Sequence, residues 1–198
     1  RASEVSEAYS WLDVNNTSAF ERATELLLDL GHRRIAFLNG LEGMDFARRR
    51  RKGFERAVGA RGIAIDTALM RSEEMTETYG YAEAHAMLTG AHPPTAFLVS
   101  SMIIALGVRR ALEELGLVIG RDVSVITHDD DLSYLRNGGE VPLFTATRSS
   151  VRDAGRMAAQ MLLEQIAAPD AALPTRLLEA PLLLGATTGP VPQTQAAQ

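Results

Sequence analysis

Short apolar runs alternate with amphipathic segments along most of the chain. The runs Ile35–Leu38 and Thr95–Ser100 are continuous, which is typical of strands buried on both faces of a parallel sheet. Apolar residues between such runs recur every three to four positions, as on one face of an α-helix. We predict strands near residues 9–14, 35–38, 68–71, 95–100, 122–127, 143–147 and 176–184, and helices near residues 18–30, 44–61, 77–88, 102–115 and 151–167. This alternation predicts an α/β fold with a doubly wound parallel sheet.

The last third of the chain departs from this alternation of strands and helices. Residues 128–142 are polar and rich in Gly and Asp. Pro181 interrupts the last predicted strand and indicates an edge position, because proline cannot donate to a strand ladder. We predict a frayed, disordered tail over residues 187–198.

Arg50 falls on the apolar side of the second predicted helix. At 100° per residue it lies in one stripe with Phe46 and Phe54, while the arginines beside it point toward the flanks or away. A buried, unpaired charge is costly, so Arg50 needs an anionic or hydroxyl-rich partner. Two interpretations stay open: a structural ion pair or snorkelling stem, and a ligand-binding arginine at the carboxyl end of a strand.

Composition narrows the classes of function. The chain has 198 residues, 46% hydrophobic and 23% charged, which is ordinary for a globular protein. The net charge of −5 does not indicate general nucleic-acid binding, and the absence of cysteine excludes disulfides and thiolate chemistry. We find no phosphate loop, dinucleotide fingerprint or nucleophile elbow, and no apolar run long enough to span a membrane. We therefore expect no enzyme, no cofactor and no membrane partner.

The run His128–Asp131 directly follows a predicted buried strand, which is a good place for ligand contacts. We do not expect a metal site, because four consecutive residues cannot all turn inward and no second cluster completes a coordination shell. Turn and capping chemistry is the alternative explanation for these aspartates. We favour one carboxylate that reaches a cleft.

The helix predicted from residue 102 is apolar on more than one face between Met102 and Val108. Burying one side does not require this much apolar surface. A well-buried helix and a contact with a second chain are both consistent with the pattern. We predict a homodimer interface that includes Met102, Ile104, Ala105 and Val108.

Six short motifs follow one another along the chain: Leu30–Ala36, Arg50 with Gly53-Phe54, Pro94–Ala96, Ala105–Gly107, Gly120–Val125 and Asp129-Asp130. They occur in the order and spacing of the LacI family of bacterial transcription regulators. The chain resembles this family over about residues 15–185, and the match is to its effector-binding, dimer-forming core. The resemblance implies the fold of periplasmic sugar-binding proteins.

The resemblance also implies a division of the chain. The C-terminal subdomain is nearly complete and the N-terminal subdomain only partial, while the family's helix-turn-helix, hinge helix and first strands have no counterpart. The predicted parts are residues 1–14, a remnant of the N-terminal subdomain; 15–148, the C-terminal effector-binding subdomain; 149–168, a helix returning to the N-terminal subdomain; 169–186, a closing strand; and 187–198, the disordered tail.

Family ligand positions match this sequence one at a time. The arginine that grips effector hydroxyls matches Arg50, and the aspartate after a cleft strand matches Asp129. At the position where the family usually has Asn or Ser, this chain has Ser101. At the next position, where the family commonly has Asp, this chain has Met102. The frequent Gln after the short strand appears as Ser149. The predicted effector-binding residues are Arg50, Asp129, Ser101, Phe46, Ser149 and Met75.

The resemblance implies a cytoplasmic, sugar-responsive repressor that binds operator DNA through a headpiece absent from this chain. Its effector would be a sugar or glucoside, since residues 131–150 look most like the alpha-glucoside regulator branch. The runner-up is a periplasmic sugar-binding protein of a transporter, which shares the fold. An enzyme on the same sheet is a third class, but it needs a nucleophile and base that we cannot assemble.

Overall fold

The computed structural model describes residues 9–132 and 135–192. Its helices and strands follow the predicted alternation, with boundaries shifted by a few residues. Within the described residues, the elements are β1 (Trp11–Val14), α1 (Asn16–Asp29), β2 (Ile35–Asn39), α2 (Asp45–Ala60), β3 (Met70–Ser72), α3 (Glu77–Leu88), β4 (Ala96–Val99), α4 (Met102–Glu114), β5 (Ser124–Asp129), β6 (Thr145–Arg148), α5 (Val151–Ala167), β7 (Thr175–Leu178) and β8 (Leu182–Leu183).

Six of the described strands form the main sheet in the order β3-β2-β4-β5-β6-β8, and all neighbours are parallel except β6 and β8. The predicted doubly wound α/β fold is confirmed, with an antiparallel edge strand as a correction. The predicted closing strand is two strands in two sheets: β7 pairs with β1 in a separate two-stranded sheet, and β8 joins the main one. Pro181 lies between them and has no N–H to donate to either sheet.

The strands of the main sheet bury alternate side chains on opposite faces. In β2, Ile35 and Phe37 pack with α1 and α2, whereas Ala36 and Leu38 pack with α3 and α4. This alternation follows from the two-residue period of a strand, and both sets are apolar because helices cover both faces.

Two glycines let the helices of each pair approach closely. A Cβ added at Gly53 of α2 would lie 2.2 Å from the main-chain oxygen of Thr17 in α1. A Cβ added at Gly107 of α4 would lie 2.0 Å from the main-chain oxygen of Glu77 in α3. The first contact brings α2 against the start of α1 and so positions Arg50 beside that helix terminus.

Helix α4 corrects the predicted dimer interface. Met102, Ile104, Ala105 and Val108 are all buried in the chain's own core, packed against the sheet and α3. The helix is apolar on several faces because one face packs on the sheet and another packs on α3. Side chains buried in this way are not accessible to a second chain, so the prediction for these four residues is wrong.

The predicted disordered tail is also wrong for residues 187–192. Thr187 is buried, its hydroxyl donates to the oxygen of Val125 at 2.6 Å, and it accepts from the N–H of Thr145 at 2.9 Å. Further along, the Val191 N–H donates to the oxygen of Leu30 at 2.9 Å. Residues 193–198 of the predicted tail and 1–8 of the predicted remnant lie outside the described residues.

Candidate functional site

The order of the strands places a crevice between the carboxyl ends of β2 and β4. The chain leaves β2 toward β3 on one side and leaves β4 toward β5 on the other, so the direction of winding reverses between these neighbours. Open α/β sheets bind ligands at such a switch point. The segments that leave the carboxyl ends of these strands lead to α2 and α4, which supply Arg50 and Ser101.

Arg50 lies at this crevice and is only 6% exposed. Its Nε donates to Oδ1 of Asn16 at 2.8 Å, and Nη1 donates to the main-chain oxygen of Ser100 at 2.5 Å. The guanidinium carbon stands 5.1 Å from the ring centre of Phe20 and 4.8 Å from that of Phe46. A guanidinium has five N–H groups, so these two bonds leave donors for a ligand. Both interpretations of Arg50 therefore have support: it joins elements of the fold and faces the crevice.

Burial lowers the pKa of Arg50 to about 10, and the nearby charge of Asp130 acts in the opposite direction. The side chain is therefore protonated at neutral pH. A protonated guanidinium in a largely desolvated place forms strong hydrogen bonds to hydroxyl and carboxylate oxygens.

Two adjacent cavities open at this end of the sheet. One, of about 320 Å³, is bordered by Phe46, Arg50, Met75, Asp130, Leu132 and Val151. The other, of about 150 Å³, is bordered by Met75, Ser101, Met102, Ile103, His128, Asp129, Asp130, Leu132 and Leu135. Because Met75, Asp130 and Leu132 line both, the cavities adjoin. Five of the six predicted effector-binding residues line one or both of them.

Asp129 ends β5 with its side chain buried. Its Oδ1 accepts from the N–H of Asp131 at 2.8 Å. Its Oδ2 is buried without a hydrogen-bond partner among the described residues, and Nε of Arg148 is 3.7 Å away. Burial raises the pKa of Asp129, although the Asp131 N–H and the charge of Arg148 oppose this. A buried carboxylate oxygen without a partner is costly, so it indicates a place for a donor that a ligand can supply.

Ser149 and Ser101 hold supporting positions. The hydroxyl of Ser149 is 3.1 Å from Nε2 of His128, and Ser149 borders neither cavity. The Ser101 hydroxyl accepts from the N–H of Ile104 at 3.4 Å and caps α4, while the residue also lines the smaller cavity. Ser101 thus has a local structural role besides the predicted contact with a ligand.

The sequence patterns did not single out Asp130 or His128 as site residues. The predicted strand ends before His128, whereas β5 extends through Asp129 and buries the imidazole. Asp130 lines both cavities, which its position in a run of three aspartates could not reveal. The only sequence signal for either residue was the position of the run at the end of a buried strand.

The other arginines of α2 do not form a basic surface. Arg48 pairs with Asp45 at 2.9 Å, Arg49 with Asp13 at 3.1 Å, and Arg51 is paired with glutamates. Within residues 9–132 and 135–192, no three His, Asp or Glu side chains cluster as metal ligands would. No helix of that part combines the length and apolar character needed to cross a bilayer.

A family model described as a periplasmic binding protein-like domain matches residues 24–188. The chain belongs to this family. AglR of Rhizobium meliloti (strain 1021), an HTH-type transcriptional regulator, is 44% identical over 185 residues, which are 93% of this chain and 52% of AglR. CelR of Thermobifida fusca, also an HTH-type regulator, is 30% identical over 160 residues, 81% of this chain and 46% of CelR.

Solved structures give the same result. A regulatory protein of the LacI family from Chloroflexus aggregans has a TM-score of 0.80 at 28% identity, covering 91% of this chain and 64% of that one. A complex of the regulator CelR with cellobiose has a TM-score of 0.80 at 27% identity, covering 91% and 54%. The LacI-family resemblance drawn from the six motifs is confirmed. The chain spans about half the length of the curated relatives it matches.

Proposed function

We propose that this chain is the effector-binding core of a sugar-responsive transcriptional repressor of the LacI type. The observation that carries the proposal is the buried Oδ2 of Asp129, which has no hydrogen-bond partner among the described residues and lies beside a cavity that adjoins the one at Arg50. Hydroxyl groups both donate and accept, so different hydroxyls of one sugar can bind the carboxylate in one cavity and the guanidinium in the adjoining one. The apolar side chains around these charges suit the C–H faces of a sugar ring, as in other small-molecule pockets.

The class of effector is supported by the relatives. CelR, whose structure is known with cellobiose, is similar in sequence and fold. The pattern of residues 131–150, which resembles the alpha-glucoside regulator branch, favours a glucoside. Since the named relatives are HTH-type regulators, a repressor is favoured over a periplasmic binding protein or an enzyme.

The whole protein would bind operator DNA through a headpiece outside this chain, as a cytoplasmic homodimer. Specific readout needs an element that fits the major groove. The arginines of α2 cannot replace it, because Arg50 is buried and the others are paired with carboxylates. Effector binding would change the relative tilt of the subdomains and so reposition the headpieces.

A thermal-shift screen of the full-length protein tests the effector class. Monosaccharides, disaccharides, sugar phosphates and nucleobases are compared, and a bound effector raises the Tm through mass action. We expect a sugar or glucoside to stabilise the protein and calorimetry to confirm binding. Stabilisation by nucleobases alone would contradict a sugar effector.

DNA binding separates the regulator from a periplasmic protein of the same fold. Fluorescence anisotropy is measured with the full-length protein and the promoter upstream of its own gene, with and without the sugar. We expect sequence-selective binding whose affinity changes when the sugar is added. A sugar-binding protein that ignores this DNA would contradict the repressor.

A further inference from the structure

The buried imidazole of His128 contacts three side chains at the floor of the site. Its Nδ1 is 2.8 Å from the hydroxyl of Thr147, and its Nε2 is 3.1 Å from both Oδ1 of Asp130 and the hydroxyl of Ser149. A neutral imidazole has one N–H and one acceptor nitrogen, and a carboxylate can only accept. The tautomer with hydrogen on Nε2 fits these partners: Nε2 donates to the hydroxyl of Ser149, Oδ1 of Asp130 lies 3.1 Å from the same nitrogen, and Thr147 donates to Nδ1.

Asp130 occupies a different place from Asp129. Its side chain is 41% exposed and borders both cavities, one of which it shares with Arg50. Asp129 is nearly inaccessible and borders the smaller cavity only. One of its carboxylate oxygens already accepts a hydrogen bond from the N–H of Asp131. Of the two carboxylates, Asp130 is therefore the one that a ligand lying in both cavities can contact from each of them.

We propose that Asp130 is a second acceptor for the hydroxyl groups of the effector, and that His128 is the positioning residue that fixes its carboxylate in the cleft that Arg50 also faces. This inference rests on the proposed function. A carboxylate has about four lone-pair sites, so the contact with His128 leaves acceptor sites for a ligand. A fixed carboxylate also loses less rotational freedom when the ligand binds.

The charges around Asp130 support this arrangement. Asp129 and Asp131 lie on its own segment, Arg148 on β6 pairs with both of them, and Arg50 faces it from α2. Burial acts to raise the pKa of Asp130, but the close contact with His128 and the charge of Arg50 outweigh it, so this pKa is lowered. Asp130 is therefore an ionised acceptor at neutral pH, and losing His128 should raise its pKa.

The test compares two replacements of His128 in the full-length protein. His128→Phe keeps the ring volume and removes the donor, whereas His128→Gln keeps an N–H near the position of Nε2. The affinity for maltose, cellobiose and ribose is measured by calorimetry at pH 7.5 and pH 5.5. We expect His128→Phe and Asp130→Asn to weaken binding at pH 7.5 by about tenfold or more, as for the loss of a charged hydrogen bond. His128→Gln should stay within about threefold of the unchanged protein.

The pH profile separates positioning from a merely structural role. Because the carboxylate of His128→Phe protonates at a higher pH, its affinity should fall further at pH 5.5 than that of the unchanged protein. Thr147→Val is the matched control, since it removes the other bond of the same imidazole and leaves Nε2 on Asp130. Equal losses in Thr147→Val and His128→Phe, with parallel pH profiles, would overturn the positioning role.

A measurement without sugar distinguishes the two proposals. The titration of Asp130 is followed by NMR with ¹³C-labelled aspartate, assigned through Asp130→Asn, in the unchanged protein and His128→Phe. We expect a higher midpoint in His128→Phe, and equal midpoints would refute the positioning role even if sugars bind. If the unchanged protein binds no sugar of the wider screen, the proposed function fails and the acceptor role of Asp130 fails with it, whatever the midpoints show.

Discussion

Arg50 of α2 donates from Nε to Oδ1 of Asn16 at 2.8 Å and so fixes α2 to the first turn of α1. Arg50→Ala removes this bond and the one to the main-chain oxygen of Ser100. Each buried acceptor left without a partner costs about 1–3 kcal/mol. We therefore expect Arg50→Ala to lose sugar binding and also to lower the free energy of unfolding. Calorimetry and urea unfolding measure the two effects.

The control for this change is Arg56→Ala, because Arg56 is on the same helix and 57% exposed. It should alter neither affinity nor stability by more than about 0.5 kcal/mol. Arg49 is a poor control, since its side chain is 13% exposed and paired with Asp13 and Asp45. Sugar binding that survives Arg50→Ala would remove this crevice as the effector site.

Asp129→Asn separates ligand binding from stability. The amide can still accept from the N–H of Asp131 but no longer offers a charged acceptor at the unpartnered position. We expect binding to weaken by about 1.5–3 kcal/mol. Because burial raises the pKa of Asp129, its ionised form opposes folding at neutral pH, and the neutral amide should leave stability unchanged or higher. Calorimetry measures the affinity and urea unfolding at pH 7 the stability. Asp170→Asn, at an exposed position, is the control. Unchanged affinity with lower stability would show that Asp129 stabilises the turn after β5 and does not bind the ligand.

Periodicity was sufficient to predict which way Arg50 points, but not what it bonds. The 100° rotation per residue of a helix fixes its side, and the apolar residues around it show that this side is buried. Its partners Asn16 and Ser100 are 34 and 50 residues away in sequence, and the packing of α1 on α2 and the pairing of β2 with β4 bring them to it. The family resemblance identifies Asp129 as a site residue. It does not identify Asp130 or His128, because their positions depend on the exact residue at which β5 ends.

The dimer interface predicted on α4 is wrong because the sequence does not show which elements pack together in the fold. An apolar helix with more than one apolar face packs against the sheet and also against a neighbouring helix, and the sequence does not tell whether that helix belongs to the same chain. Here it does, because Gly107 lets α3 approach α4 closely. The apolar side chains of α4 that keep some exposure are Ile103, at 36%, and the half-buried Leu106.

We expect a matched pair of variants to locate the dimer contact. Ile104→Asp places a charge in the core and should destabilise the fold, because the side chain of Ile104 is fully buried. Ile103→Asp should leave the fold intact and convert a dimer of the full-length protein to monomers if α4 lies at the interface. Light scattering with circular dichroism measures both. A folded Ile103→Asp protein that remains dimeric would exclude this part of α4.

Two buried histidines predict a loss of stability in weak acid. Burial lowers the pKa of His32 and of His128, so the folded protein binds fewer protons than the unfolded chain below the ordinary value of 6.5. Stability due to these residues is present above pH 6.5 and is lost as pH falls below it. Urea unfolding between pH 7.5 and 5.5 should show this decline, and His32→Gln should reduce its slope. Equal slopes would show that His32 does not contribute.

The final segment of the described chain has a stabilising role that its composition conceals. Residues 187–192 are polar or rich in Gly and Pro, and such segments are usually mobile ends. Burial here depends on hydrogen bonds instead of apolar side chains: Thr187 bonds β5 through Val125 and β6 through Thr145. The segment thus joins two strands of the main sheet near their amino-terminal ends, away from the cavities.

Thr187→Val tests this role, because it keeps the shape of the side chain and removes both hydrogen bonds. Two buried backbone groups then lose their partner, at about 1–3 kcal/mol each. We expect a clear loss of unfolding free energy with sugar affinity unchanged, since the segment borders neither cavity. Thr188→Val is the control. Among the described residues its hydroxyl bonds that of Thr145 alone, at 2.8 Å, and the side chain is half-buried, so its loss should cost less. Urea unfolding that ranks the two variants in the opposite order would mean that the segment does not stabilise the sheet through Thr187.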